Sequence, residues 1–223
     1  MSQNKPKKRV KKNSLKKLFF CIVFVALIML VYYVYDSFFK DKNGVTAPKI
    51  VDEIKLKSIN YVVNENDTKL FKKNFEELKK VLNEKKIDNK KYAEAISKIF
   101  VVDFFTLSNK TSKNDVGGVQ FVYSSYKSDF VDYARDGMYK RVNNSIEDGN
   151  NSGLPTVSSV NVSNIEEVDP SAIFSNIDFG EDKVGYEVTL DWTYKNNDDY
   201  QDSTTLTIVN DGKKISVAKM TEN

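Results

Sequence analysis

Five carboxylates, Asp103, Asp129, Asp132, Glu187 and Asp191, stand inside otherwise apolar stretches of this 223-residue chain. A carboxyl group among apolar neighbours resists ionisation, and that is how a side chain becomes a general base or a neutral hydrogen-bond donor near pH 7. The ordinary place for a lone acid is a wet face or a helix cap, so none of the five is assigned a catalytic, cofactor-binding or metal-ligating role. The chain has no histidine. That removes Ser-His and Cys-His nucleophilic systems, His-bearing zinc sites and the usual switch near neutral pH. Neither a GxxxxGK[ST] nor a GxGxxG loop is present, and no cofactor is expected. What chemistry remains is that of carboxylates and tyrosines.

The segment that must position everything else is an apolar run from Leu18 to Tyr35, extended by Phe38 and Phe39. Eighteen residues span about 27 Å as a helix, close to the roughly 30 Å hydrocarbon core of a bilayer. Eight Lys/Arg and no acid precede it, which predicts a cytosolic tail over 1–17, a membrane anchor over 18–39 and everything beyond it outside the cell membrane. A cleaved signal peptide is the competing reading, but the run ends in Tyr32-Tyr33-Val34-Tyr35 rather than in a small-x-small site. The single cysteine, Cys21, lies near the start of the run behind Phe20 and does not form a lipoprotein box. An outer domain without cysteine folds without disulfides.

Setting aside the eight basic residues of the tail leaves 26 against 31 acids, a formal charge of −5 for the remainder. An acidic outer region argues against nucleic acid as its partner. Residues 40–58 mix Lys, Asp, Gly44 and Pro48 and read as a stalk, leaving 59–223 for one domain. Phe71, Phe75, Leu78 and Leu82 recur at helical spacing. Asp88-Asn89 caps a second, strongly apolar helix running to Phe105. A third helical region begins near Val119 and breaks near Ser128, where a separate helix would reach Arg141 or Val142. From Asn143 an Asn/Ser/Gly-rich stretch reads as an exposed connection ending at Pro155. Beyond it the period changes to two. A weaker strand over Val157 to Val168 precedes a clear one through Tyr186, Val188, Leu190, Trp192 and Tyr194, and two more flank the Asp211-Gly212 turn. The fold class is α+β: three or four helices packed on a curved antiparallel sheet, behind one transmembrane helix.

Helices around 70–75, 92–105 and 119–142, then the run Gly185-Tyr186-Glu187-Val188-Thr189-Leu190-Asp191-Trp192-Thr193-Tyr194 and a closing hairpin, give the outer domain its likeness. It resembles the nuclear-transport-factor/ketosteroid-isomerase-like cone fold. On a single N-terminal span, it is similar to the bitopic assembly factors of bacterial type IV secretion and conjugation systems. The resemblance implies a non-catalytic module that contacts other membrane or channel proteins, with homo-oligomerisation among its partnerships and membrane lipid held through 18–39. It transfers no functional residue. Ketosteroid-isomerase-like members imply an alternative, a small-ligand or isomerase pocket with Asp103 as base and Tyr186 as hydrogen-bond donor. A cell-wall or sporulation accessory role, similar to the non-catalytic cone domain of some penicillin-binding proteins, is the third reading, and no SxxK motif follows here.

Overall fold

The computed structural model describes residues 28–30, 48–56, 59–147, 153–175, 177, 184–195, 200–210 and 214–222. Two compact units divide the chain, Met1–Ala47 and Pro48–Asn223. Of the first, Ile28–Leu30 is described and is helical and exposed. The basic tail, Cys21 and the rest of the expected anchor lie outside the described residues. Among the described residues no helix is long and apolar enough to cross a membrane.

The second unit opens with a strand where a stalk was expected. Strand β1, Ile50–Leu56, pairs antiparallel with β2, Ile59–Asn64, and the unit starts at Pro48 rather than at 59. Frequent Lys and Asp hid an alternation that buries Ile54 in β1 and Tyr61 and Val63 in β2. A register shift between Ile50 and Asp52 blurs the alternation further. The carboxamide of Gln120 then lies along β2 like a short strand, accepting from Val62 N at 2.9 Å and donating to Val62 O at 3.2 Å.

Helix α1, Lys69–Leu82, starts where the Thr68 hydroxyl accepts from Phe71 N, and it buries the expected stripe Phe71, Phe75, Leu78 and Leu82. Each of these side chains contributes roughly 1.5–3 kcal/mol by leaving water. Helix α2, Asn89–Phe105, is capped by Asp88 as the sequence predicts and is buried on nearly every side. It lies between α1 and the sheet, touching β3, β4 and β6. An all-round apolar helix needs that central position.

The third helical region is fragmented. Short 3₁₀ turns at Val119–Phe121 and Ser124–Tyr126 flank an extended Val122, which bridges to Val217, and Tyr123 N donates to Val217 O at 2.8 Å. That pairing, made with a residue far along the chain, overrides the local helical spacing. Helix α3 begins at Lys127, close to the expected break, and stops at Asp136 rather than continuing to Arg141 or Val142. Helix α4, Lys140–Glu147, occupies the start of what reads as a connection, because Val142 is buried and Asn143 Oδ1 accepts from Lys113 N. Residues 148–152 of that connection lie outside the described residues.

Strand β3, Val157–Val168, leads through the single-turn α5, Pro170–Ile173, to β4, Gly185–Tyr194, β5, Ser203–Asn210, and β6, Ile215–Glu222. They form one antiparallel sheet in the order β3-β4-β5-β6, the expected meander, while the Asp211-Gly212 turn itself lies outside the described residues. Register shifts at Val157/Ser159, Val162/Asn164 and Thr207/Ile208 increase the local twist and curve the sheet. Tyr186, Val188, Leu190, Trp192 and Tyr194 are buried, and Trp192 meets Phe105 of α2 at 4.4 Å between ring centroids. The α+β class with helices on a curved antiparallel sheet is therefore as read from the sequence.

Candidate functional site

Asp103 lies two residues before the end of α2, where the chain turns back through Leu107–Gly118. Its Oδ1 accepts from Lys110 Nζ at 2.7 Å and its Oδ2 from Gly118 N at 2.7 Å. Both side chains are largely shielded, Lys110 at 6% exposed and Asp103 at 13%. Gly117 must be glycine, because a Cβ there would collide with the Asp103 carbonyl oxygen, and Gly118 holds a positive φ of 79°. Beneath the loop the hydroxyl of Tyr139 accepts from Gly117 N at 2.9 Å and donates to Phe104 O at 2.8 Å. Asp67 and Asp115 complete the polar cluster: Asp67 accepts from Asn64 N, and Asp115 accepts from the backbone and hydroxyl of Thr111. Asp67, Asp103, Lys110, Asp115 and Gly117 are among the residues that line a cleft of about 190 Å³.

Electrostatics close this cluster rather than prime it. Burial works against the Lys110 ammonium, but Asp103, with Asp115 and Asp67 behind it, outweighs burial and holds its pKa above the usual lysine value. A lysine held so firmly protonated is no nucleophile at neutral pH. Burial raises Asp67 above the ordinary carboxylate range, and repulsion from Asp103 adds to it. Burial likewise pushes the Tyr139 hydroxyl well up, so it stays a neutral structural donor. Among the described residues no group of His, Cys, Asp or Glu is placed to hold a metal ion.

The remaining sequence-marked acids are scattered. Asp129, in the first turn of α3, borders a second depression. Asp132 pairs with Arg135 at 2.7 Å. Glu187 stands opposite Glu166 and Thr207 on neighbouring strands, and Asp191 is exposed opposite Asn161 and Ser203. Asp129 and Asp132 share α3, Glu187 and Asp191 share β4, and Asp103 stands on α2. Asp103 and Tyr186 do not share a pocket. Tyr186 feels Asp88, at the start of α2, whereas Asp103 sits fifteen positions on, about 22 Å along the helix axis.

No family model, curated protein or solved structure matches this chain.

What sequence reading missed is the second depression, about 300 Å³ and apolar, between α3 and the end of β6. Phe100, Val122, Phe130 and Val217 form its floor and sides, with Tyr133 and Met220 at the rim. Tyr133 is 86% exposed and Met220 37%. Phe130 and Tyr133 stand three apart, the spacing of one helix face, but α3 buries only Ala134 fully. Beside the groove runs β6, the outer strand of the sheet. Among the described residues Tyr123 N is the one main-chain donor on its outer edge, at Val217, and none reaches Ala218 to Glu222.

Proposed function

We propose that this chain is a non-catalytic, membrane-anchored assembly or scaffold protein whose outer domain binds protein partners, with a conjugation or type IV secretion apparatus as its setting. The observation that carries the reading is the open apolar groove beside an unpaired strand edge. An extended protein segment fits both parts: its backbone continues the sheet along β6 beyond Val217, and an apolar side chain fills the space between Phe130, Tyr133 and Met220. The way carboxylates are used supports the absence of catalysis. Asp103 is engaged on both oxygens and Asp132 is paired with Arg135. The interior between helices and sheet is filled by rings such as Phe105 and Trp192.

The test is cell-surface crosslinking of the full-length tagged chain with mass spectrometry of what co-purifies. It is run beside an anchor-only truncation and a Tyr133→Asp/Met220→Asp variant. A transfer ATPase and channel subunits recovered with the full chain, and lost in both controls, support the reading. Recovery of nothing beyond the truncation sinks it. Equal recovery with the double variant removes the groove as the docking site.

A further inference from the structure

One face of the outer domain is basic, although the chain beyond the tail is acidic overall. Lys69 to Lys91 holds nine lysines and four acids, a surplus of +5. Along the solvent side of α1 the exposed residues are Lys69, Lys73, Glu76 and Lys80. They lead into the turn Asn83 to Lys91, exposed throughout, where Lys85, Lys86, Lys90 and Lys91 surround Ile87. Ile87 is 37% exposed, an apolar side chain at the centre of a cationic tip.

The acids close by leave the surplus standing. Asp88 is committed to the N–H groups of Lys90 and Lys91, and Glu84 meets Lys91 only at 3.9 Å. On the sheet, Glu187 and Asp191 alternate with the buried Tyr186, Leu190 and Trp192, and Glu166 pairs with Glu187. These three acids therefore stand on the sheet face turned away from α2, whose Phe105 packs on Trp192. Glu167 is on the helix side at this end: burial first, then the charges of Glu167 and Asp88, raise the Tyr186 hydroxyl pKa. It is one charge against the four lysines of the turn.

Position along the chain points to the partner. Eight residues, 40–47, join the expected anchor to Pro48, and nine Cα steps reach about 32 Å at most. The chain enters the outer domain beside the start of α1, where Lys49 O accepts from Glu65 N at 2.8 Å and Lys72 Nζ donates to Glu65 O at 3.0 Å. The fourteen residues of α1 rise about 21 Å, so the basic strip runs from the entry point to the lysine turn over a length shorter than the tether. A tethered surface meets its own bilayer at a raised effective concentration, which lets a patch of modest affinity suffice. A soluble polyanion lacks that advantage and meets the net charge of −5 beyond the tail.

We propose that the solvent face of α1 and the turn after it form a second membrane contact, in which Lys73, Lys80, Lys85, Lys86, Lys90 and Lys91 meet the phosphates of anionic lipid headgroups and Ile87 enters the headgroup layer. The proposal rests on the membrane-anchored reading above. It leaves the α3–β6 groove open to a protein partner, since no groove residue belongs to the strip. Each lysine held at an anionic surface strengthens the contact about fivefold, and salt weakens it.

The experiment reconstitutes the full-length chain into nanodiscs of phosphatidylcholine, with or without phosphatidylglycerol, and follows lysine acetylation by mass spectrometry. Lys85, Lys86, Lys90 and Lys91 are expected to react at least about fivefold more slowly in the anionic discs, with the difference lost near 0.5 M salt. Lys140 and Lys219, exposed elsewhere, are the references and are expected to react equally in both. A Lys85→Glu/Lys86→Glu form, altered only at exposed positions, is expected to return Lys90 and Lys91 to the neutral-disc rate. Equal labelling in the two kinds of disc overturns the proposal, as does protection that the charge-reversed form retains or that Lys140 and Lys219 share. Protection by soluble polyphosphate beside neutral discs overturns it in favour of a soluble polyanion. A chain that fails to insert overturns the anchor reading and this proposal with it, whereas insertion without protection overturns this proposal alone.

Discussion

Replacing Lys110 by Met removes the ammonium from the Asp103 cluster while keeping most of the side chain's volume. At 2.7 Å the direct attraction in the pair is about 6 kcal/mol for an effective dielectric near 20, most of it offset by the cost of taking both charges out of water. Breaking a buried pair by removing one member typically costs about 3–5 kcal/mol, because the other charge is stranded. Asp103 keeps the Gly118 N–H, so the lower end applies, about 3 kcal/mol, or roughly 6–12 °C in Tm for a domain of this size. Adding Asp103→Asn should recover most of the loss at pH 7, because it removes the stranded charge. Urea unfolding of the purified chains at pH 7, followed by circular dichroism, measures both changes. A loss below about 1 kcal/mol, or no recovery on adding Asp103→Asn, would refute the account of Lys110 as a required counter-ion.

Three further substitutions probe the same corner of the fold. Tyr139→Phe leaves the buried ring in place but strands Gly117 N and Phe104 O, and should cost about 2–4 kcal/mol in denaturant unfolding. Gly117→Ala drives a methyl group into the Asp103 backbone and should lower stability by on the order of 2 kcal/mol, seen as a lower urea midpoint with an unchanged m-value. Asp67→Asn keeps an acceptor for Asn64 N and removes a carboxylate whose charged form is disfavoured; it should stabilise the chain at pH 7 and lose that advantage as Asp67 protonates on acidification, measured by thermal unfolding across pH.

How legible the fold was depended on the range over which each signal acts. The α1 stripe, the Asp88 cap and the alternation through Trp192 are set by neighbours within a few residues, and each was readable from sequence. Strand β1 was not, because Asp52, Glu53 and Lys55 resemble a solvated linker until β2 is seen beside them. Val122 turned extended because its partner is Val217, a residue that no local window contains. Asp103 is visible in the sequence as an acid inside an apolar stretch, but Lys110, seven positions on in a loop, carries no pattern that marks it as the partner. The exposed face of α3 was hidden for the opposite reason. Phe130 and Tyr133 have core-like spacing, and only the folded position of β6 shows that the space beside them is left open.

The opening hairpin has a mechanical consequence. The chain enters β1 at Ile50, and Asn64, the residue paired with Ile50, leads directly into α1. Tension applied ahead of Pro48 would therefore load the β1–β2 ladder one rung at a time, as a zipper, rather than shear all rungs together. The first rungs to open are the Glu65 N to Lys49 O bond and the Ile50–Asn64 pair, with the Lys79–Asp52 bridge just behind them. Full release of the seven residues of β1 would pay out about 24 Å of chain while α1, α2 and the sheet stay folded. Under such a load the hairpin would open from its Ile50 end, with the Lys79–Asp52 bridge and then the buried Ile54 resisting in turn.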